Sequence, residues 1–141
     1  MSRISSRIAR VVAPPTVVHA HCDIPCGIYD PHAAALAAQT VARMVELLGG
    51  LDGQSAADRN KFARCVAVKE QHAEIVKHEV QVIWSDYFKP EHLEANPDLH
   101  TKVWNLLKLA GKNKQNIDAE AAAQLQASVK EFADIFWSTK K

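Results

Sequence analysis

The sequence predicts an all-α protein, an antiparallel four-helix bundle, and three observations lead to this fold class. Four segments place apolar residues three or four positions apart, which is the spacing of one face of an α-helix. Short connections join these segments, and short connections favour antiparallel neighbours in a bundle. No stretch shows the strict alternation of a half-buried strand. With 141 residues, 48% of them hydrophobic, the chain has the size of one domain with a single core.

The first helix is predicted to begin at Asp30-Pro31, because aspartate can cap free amides and proline suits the first helical position. Gly49-Gly50 should end it. Its apolar stripe consists of Ala34, Ala37, Val41, Met44 and Leu48.

The second helix opens at Ser55, in a pattern similar to a capping box. Its stripe follows alternating steps of four and three residues, and Lys69 is its only charged member. Such a stripe requires partner helices. The helix should end near Phe88, because Pro90 disfavours helical geometry in the residue before it. The stripe consists of Phe62, Val66, Lys69, Ala73, Val76, Val80, Ile83 and Tyr87.

The last two helices have their own start and stop signals. Asn96-Pro97 begins the third and Gly111 should end it, which leaves residues 112–116 as a polar loop. Asp118 can cap the fourth. The two stripes are Leu99, Val103, Leu106 and Ala110, and then Ala122, Leu125, Val129, Phe132 and Phe136.

The charge and the cysteine content exclude several classes of protein. The net charge of +1 includes three arginines and no acid in residues 1–20, so the remainder has 14 basic and 16 acidic side chains and a charge of −2. No basic stripe indicates nucleic-acid binding, and no apolar run has the length needed to span a bilayer. Three cysteines do not form a secreted disulfide framework. We therefore expect a cytoplasmic protein with reduced thiols.

Residues 1–20 have the composition of a segment that is removed during maturation. They contain arginine and serine without acids and end in Ala20, a small residue of the kind that signal-type proteases accept. Pro14 and Pro15 interrupt any long apolar stretch, which disfavours a secretory signal. The alternative is a terminal tail without a function.

The next segment, residues 21–31, is too rich in proline and glycine for a helix or a central strand, and we call it the hook. Pro25 and Gly27 can turn the chain so that Cys26 returns beside Cys22. If the chain were cut before His21, the new α-amine and the Cys22 amide would add two nitrogens in the plane of the two sulfurs. Square-planar nitrogen and sulfur donors select nickel(II) or copper(II), whereas zinc would need further ligands at other spacings. The hook reads His21-Cys22-Asp23-Ile24-Pro25-Cys26-Gly27-Ile28-Tyr29-Asp30-Pro31.

This motif resembles the nickel hook of nickel-containing superoxide dismutases, and the resemblance covers nearly everything after Ala20. A Cys-x-x-x-Cys pair alone would be a weak signal. Further similar runs follow in order to the end of the chain: Lys69-Glu70-Gln71, Ala73-Glu74, Lys77-His78, Trp84-Ser85-Asp86-Tyr87-Phe88-Lys89-Pro90, Ile135-Phe136-Trp137 and Thr139-Lys140-Lys141.

The resemblance implies a superoxide dismutase that cycles between Ni(II) and Ni(III), with one nickel ion per subunit. Its ligands would be His21, Cys22 and Cys26, where His21 contributes its α-amine and an axial imidazole. Tyr29 and Tyr87 would lie near the open face of the metal, and Asp23 would fix the hook through backbone amides. The implied domains are a leader of residues 1–20, removed by a maturation protease, and an enzyme of residues 21–141, with the bundle from 32 onward. The implied assembly is a homohexamer.

Two positions depart from the family pattern. Family members carry a glutamate on the first helix and an arginine on the second, which together orient the axial imidazole, whereas Ala37 and His72 stand at these positions here. Alanine has no side-chain acceptor. We therefore expect His72 to orient His21, directly or through water, or the imidazole to have another partner.

The remaining candidate residues are interpreted as structural. Cys65 has no partner at a ligand spacing and is expected to be a small buried residue. Tyr87 could equally be a core aromatic at the edge of the bundle. No metal is assigned to His78, His92 and His100, and packing is assigned to Trp84, Trp104 and Trp137.

Three other functions remain open on the residues alone. A helical metal-storage module would bind nickel or copper without turnover. A dithiol redox protein would use Cys22 and Cys26, which an oxidising compartment would join in a disulfide. The usual redox motif has a different spacing and a βαβ context. A helical interaction domain would be favoured if the hook stayed disordered with metal present.

Overall fold

The computed structural model describes residues 27–140, and this range folds as the predicted all-α bundle. Four long helices and one short helix follow in order, with one π-helical turn. They are α1 (His32–Gly49), α2 (Ala56–Val82), the π-helical turn (Ile83–Tyr87), α3 (Pro90–Ala95), α4 (Leu99–Gln115) and α5 (Ala119–Thr139). The short helix α3 lies in the connection between the second and third bundle helices.

Each long helix packs against two others, which closes the bundle. Helix α1 contacts α2 and α5, and α4 contacts the same two helices. The pairing of α2 with α4 is antiparallel, because Lys69 meets Lys114 near one end while Trp84 meets His100 near the other. The predicted four-helix topology is therefore confirmed.

The predicted apolar stripes form most of the core. Every predicted stripe residue of α4 and α5 is buried. On α1, Val45 is buried, whereas the predicted Met44 is only half-buried. No helix within residues 27–140 combines the length and the apolar character needed to cross a membrane.

The first part of the predicted α2 stripe is wrong. Phe62 is 43% exposed and Val66 is half-buried, whereas Cys65 is 6% exposed and joins the core side of the helix. A strict seven-residue repeat drifts by about 20° per heptad on a straight helix. The face that is correct around Ala73 and Val80 has therefore rotated out of the core two turns earlier. The prediction that Cys65 is a small buried residue is confirmed.

The predicted end of the third bundle helix is also wrong. Helix α4 continues through Gly111 to Gln115, so most of the expected polar loop is helical. The ammonium group of Lys69 donates to the carbonyls of Asn113 and Lys114, the latter at 2.9 Å. These contacts satisfy carbonyls that a helix end otherwise leaves free. Burial lowers the pKa of the Lys69 amine below its ordinary value.

Three helix starts follow the predicted caps, whereas the start predicted at Asn96-Pro97 is wrong: α4 begins at Leu99 and has no side-chain cap. The Asp30 carboxylate accepts a hydrogen bond from the His32 amide at 2.7 Å. Ser55 and Asp118 accept bonds from amides in the first turns of α2 and α5, both at 2.9 Å.

The packing role predicted for all three tryptophans is correct for one. Trp84 packs against the core, whereas Trp104 is 60% exposed and Trp137 is 48% exposed. Each of these two follows a buried stripe residue directly, so helical geometry turns its side chain toward the outer face of the bundle.

Candidate active site

A cavity of about 400 Å³ lies where the hook joins the bundle. Three separate stretches of chain form its walls: the end of the hook, the π-helical turn with the start of α3, and the end of α5. The lining residues are Gly27, Tyr29, Asp86, Tyr87, Lys89, His92, Thr139 and Lys140. Both tyrosines that the resemblance placed near the metal therefore lie in this cavity.

Tyr87 connects the cavity to the core. Its half-buried ring packs on Phe136, with 4.5 Å between the ring centroids, and stacks on His92 with 5.6 Å and an interplanar angle of 19°. The hydroxyls of Tyr87 and Thr139 are 3.1 Å apart. Because Thr139 donates its one hydroxyl proton to the Phe136 carbonyl at 2.7 Å, Tyr87 is the donor between the two hydroxyls. Tyr87 is thus both a packing residue and a cavity residue.

Tyr29 and Lys140 fasten the hook to the end of α5. The rings of Tyr29 and Tyr87 are 5.7 Å apart and tilted by 57°. The ammonium group of Lys140 donates to the backbone carbonyl of Tyr29 at 2.9 Å. It also lies over the rings of Phe136 and Trp137, at 5.1 and 5.2 Å from their centroids. The end of the hook and the end of α5 therefore meet at the cavity.

The side chains around the cavity make it favourable for a small anion. Lys89 and Lys140 contribute two positive charges, against one negative charge from Asp86. The Nδ1 atom of His92 accepts a hydrogen bond from the Lys89 amide at 3.2 Å. This bond requires an unprotonated Nδ1, so the proton of the neutral ring lies on Nε2.

The expected metal ligands come just before a cavity-lining residue in the sequence. His21, Cys22, Asp23 and Cys26 lie outside the described residues. Gly27 follows Cys26 directly, lines the cavity, and has a φ of 70°, a left-handed conformation that favours glycine. Within residues 27–140 there is no group of three or more His, Cys, Asp or Glu side chains that could hold a metal.

The donor set of the hook suits nickel. Two thiolates are soft donors, and together with backbone nitrogens and an imidazole they would supply a mixed nitrogen and sulfur set of the kind that nickel accepts.

Comparison with known proteins decides the family. The model of the nickel-containing superoxide dismutase family matches residues 16–140. The superoxide dismutase [Ni] of Streptomyces coelicolor is 40% identical over 134 residues, which are 95% of this chain and 98% of the relative. This chain belongs to the nickel-containing superoxide dismutase family. It is therefore an oxidoreductase with nickel as its cofactor.

Solved structures of nickel superoxide dismutases share the fold. The native enzyme has a TM-score of 0.77 and 40% identity, and the match covers 86% of this chain and 100% of that one. A second structure, whose nickel ligation corresponds to the oxidized state, has a TM-score of 0.77 and 38% identity, with 84% of this chain and 97% of that one covered.

The two departures from the family pattern lie away from the cavity lining. Ala37 is 3% exposed and belongs to the core. The Nδ1 atom of the part-buried His72 lies 2.8 Å from the Val68 carbonyl one turn earlier on α2. Because a carbonyl only accepts, Nδ1 carries the proton and Nε2 is the acceptor of the neutral ring. A role of His72 toward His21 stays a prediction.

Five lining residues were not identified as site residues from the sequence: Asp86, Lys89, His92, Thr139 and Lys140. A signal was available, since four of them lie within runs that resemble the family, at positions 84–90 and 139–141. The resemblance marks these runs as similar but does not say which of their side chains line the cavity.

Proposed function

We propose that this chain converts superoxide into oxygen and hydrogen peroxide at a nickel site that the hook forms after cleavage before His21. The observation that carries the proposal is the cavity: it begins at the residue after Cys26 and is lined by two tyrosines and two lysines. A small anion that enters this cavity would arrive beside the expected ligands.

The proposed ligands are His21, Cys22 and Cys26, with one nickel ion per subunit. When bound, nickel supplies a one-electron couple, Ni(II)/Ni(III), which thiolate donors bring within reach of superoxide. In the balanced reaction two superoxide anions and two protons give one oxygen and one hydrogen peroxide. Asp23 is proposed to hold the turn of the hook through backbone amides.

The described residues have three tasks in this proposal. Lys89 and Lys140 attract the anionic substrate into the cavity. Tyr29 and Tyr87 narrow the cavity and present hydroxyls that order water or the incoming anion. The bond from Lys140 to the Tyr29 carbonyl holds the end of the hook against α5. These residues would therefore position the substrate and the hook and set the electrostatic potential of the cavity. The electron transfer itself would belong to the metal.

The length of the solved relative supports the proposed cleavage. That chain is covered completely by 86% of this one, and 86% of 141 residues is about 121 residues, which is also the length of a chain that begins at His21. A cut before His21 would create the α-amine that the ligand set needs. A maturation protease would perform it.

The decisive experiment combines intact mass, metal analysis and a superoxide assay on protein produced with its processing machinery. We expect a chain that begins at His21, one nickel per chain and catalytic consumption of superoxide. A metal-storage module would bind the nickel without turnover, and that result would contradict the proposal.

The lysines of the cavity permit a separate test. Replacing both Lys89 and Lys140 with glutamine should lower kcat/KM for superoxide about three- to tenfold and weaken the dependence of the rate on ionic strength, because fewer charges attract the anion. Lys108→Gln is the matched control, since this lysine contacts the exposed Trp104 and is not in the cavity lining. An unchanged salt dependence in the double variant would show that these lysines do not attract the substrate.

We further propose that the mature enzyme is a cytoplasmic homohexamer. Ile28, in the hook, is 82% exposed and Trp137 beside the cavity is 48% exposed, so the hook side of the bundle presents apolar surface that a neighbouring subunit could cover. Sedimentation of the active enzyme at assay concentration should show a single species of about six chains. An active monomer would rule the hexamer out.

A further inference from the structure

The π-helical turn, Ile83–Tyr87, is the element that brings Tyr87 to the cavity. It continues α2 without a break and ends at Tyr87, and the next residue, Phe88, has an extended backbone. A π-helical turn has poorer hydrogen-bond geometry than an α-helix and is often found at functional sites. The position of Tyr87 therefore depends on what holds this turn in place.

Besides the contact of Tyr87 itself with Thr139, a hydrogen bond ties the turn to another helix. The indole nitrogen of Trp84 donates to Nδ1 of His100, in the first turn of α4, at 2.9 Å. The two rings also meet edge to face, with 5.6 Å between centroids and an interplanar angle of 81°. Trp84 is half-buried against the core, whereas His100 is exposed. The polar contacts of Ser85 stay within the turn and the end of α2.

We propose that the hydrogen bond between Trp84 and His100 is a latch that positions Tyr87, so that these two residues are positioning residues of the enzyme. Neither side chain lines the cavity. The latch fixes the turn against α4 and thereby holds the Tyr87 hydroxyl at Thr139, on α5. Without the latch the turn would gain conformational freedom, and the Tyr87 hydroxyl would lose its fixed position beside Thr139 in the cavity.

The catalytic part of this inference rests on the proposed function, since it concerns superoxide turnover. Its structural part does not, because the indole hydrogen bond can be observed without any assay.

His100 offers a pair of variants that differ mainly in the acceptor. Asparagine places its side-chain oxygen at the branch position of Nδ1 and can accept the same bond, whereas leucine has a similar shape and no acceptor. Because His100 is exposed, both variants should fold. We expect His100→Leu to lower turnover about three- to tenfold, the usual worth of one hydrogen bond, and His100→Asn to stay within about twofold of the wild type.

The donor side has its own variant and control. Trp84→Phe keeps an aromatic ring but lacks the N–H group. It should lower turnover by about the same factor as His100→Leu. Trp104→Phe is the control, since this exposed indole makes no hydrogen bond within residues 27–140 and should be neutral. Helicity and nickel content should stay at wild-type values in all four variants.

A double-mutant cycle tests whether the latch acts through Tyr87. If it does, His100→Leu should lower turnover by less than about twofold in a Tyr87→Phe background, because the hydroxyl that the latch positions is already absent. Equal costs in the two backgrounds, no cost in the wild type, or equal losses in His100→Asn and His100→Leu would each overturn the proposal.

The indole resonances of the reduced, isotope-labelled holoenzyme provide the readout that is independent of turnover. The Trp84 N–H resonance should move in His100→Leu and stay close to its wild-type position in His100→Asn. If the wild type does not consume superoxide, the proposed function fails while this shift still reports the latch. If the resonance does not respond to His100→Leu, the latch itself is absent.

Discussion

Replacement of Cys22 or Cys26 with serine is expected to abolish superoxide turnover while the bundle still folds. Each substitution exchanges a soft thiolate for a hard oxygen that binds nickel poorly and does not support its redox couple. Loss of a residue that only orients a ligand commonly costs about ten- to a hundredfold, so loss of a ligand should cost at least about a hundredfold. Both cysteines precede α1 in the sequence, so neither substitution changes a residue of the bundle helices.

The third cysteine is the matched control. Cys65 is 6% exposed on α2 and is not in the cavity lining, so Cys65→Ala should keep its nickel and its turnover. The measurements are metal content, superoxide consumption and circular dichroism. A Cys22→Ser or Cys26→Ser protein with the wild-type rate would show that the thiolates are not ligands.

A chain that retains residues 1–20 is expected to have less than about one per cent of the mature activity. Within a peptide bond, His21 has no α-amine to offer, so the ligand set lacks one nitrogen and the hook cannot bind nickel in the proposed plane. The comparison is between an uncut chain and a chain of residues 21–141 released with a free His21 terminus, both exposed to the same nickel.

The bundle should fold in both chains, because α1 begins at His32, well after the cut. Edman degradation or intact mass verifies the terminus in each sample. Turnover by a verified uncut chain would remove cleavage from the mechanism.

Local sequence signals determined most of the helices. The stripes of α4 and α5 are buried as predicted, and Asp30, Ser55 and Asp118 cap helix starts. A cap or a stripe depends on residues within a few positions of one another, so it can be recognised without knowledge of the partner helix. The hook motif is local in the same way, because its donor atoms and its turn residues all lie within residues 21–31.

The tertiary structure decided features in which distant residues meet. Gly111 is a plausible helix end, yet α4 continues because Lys69 on another helix satisfies the carbonyls of its last turn. Phe62 fits the repeat of α2, but the straight helix turns it outward and buries Cys65 instead.

The cavity shows this division most clearly. Tyr29 and Tyr87 were expected near the metal on resemblance, whereas Lys140 and Thr139 join them only because α5 ends beside the start of α1. The sequence by itself determined the donor atoms of the hook and the four helices. The side chains that line the cavity come from segments as far apart in the sequence as Tyr29 and Lys140, and only the closure of the bundle brings them to one place.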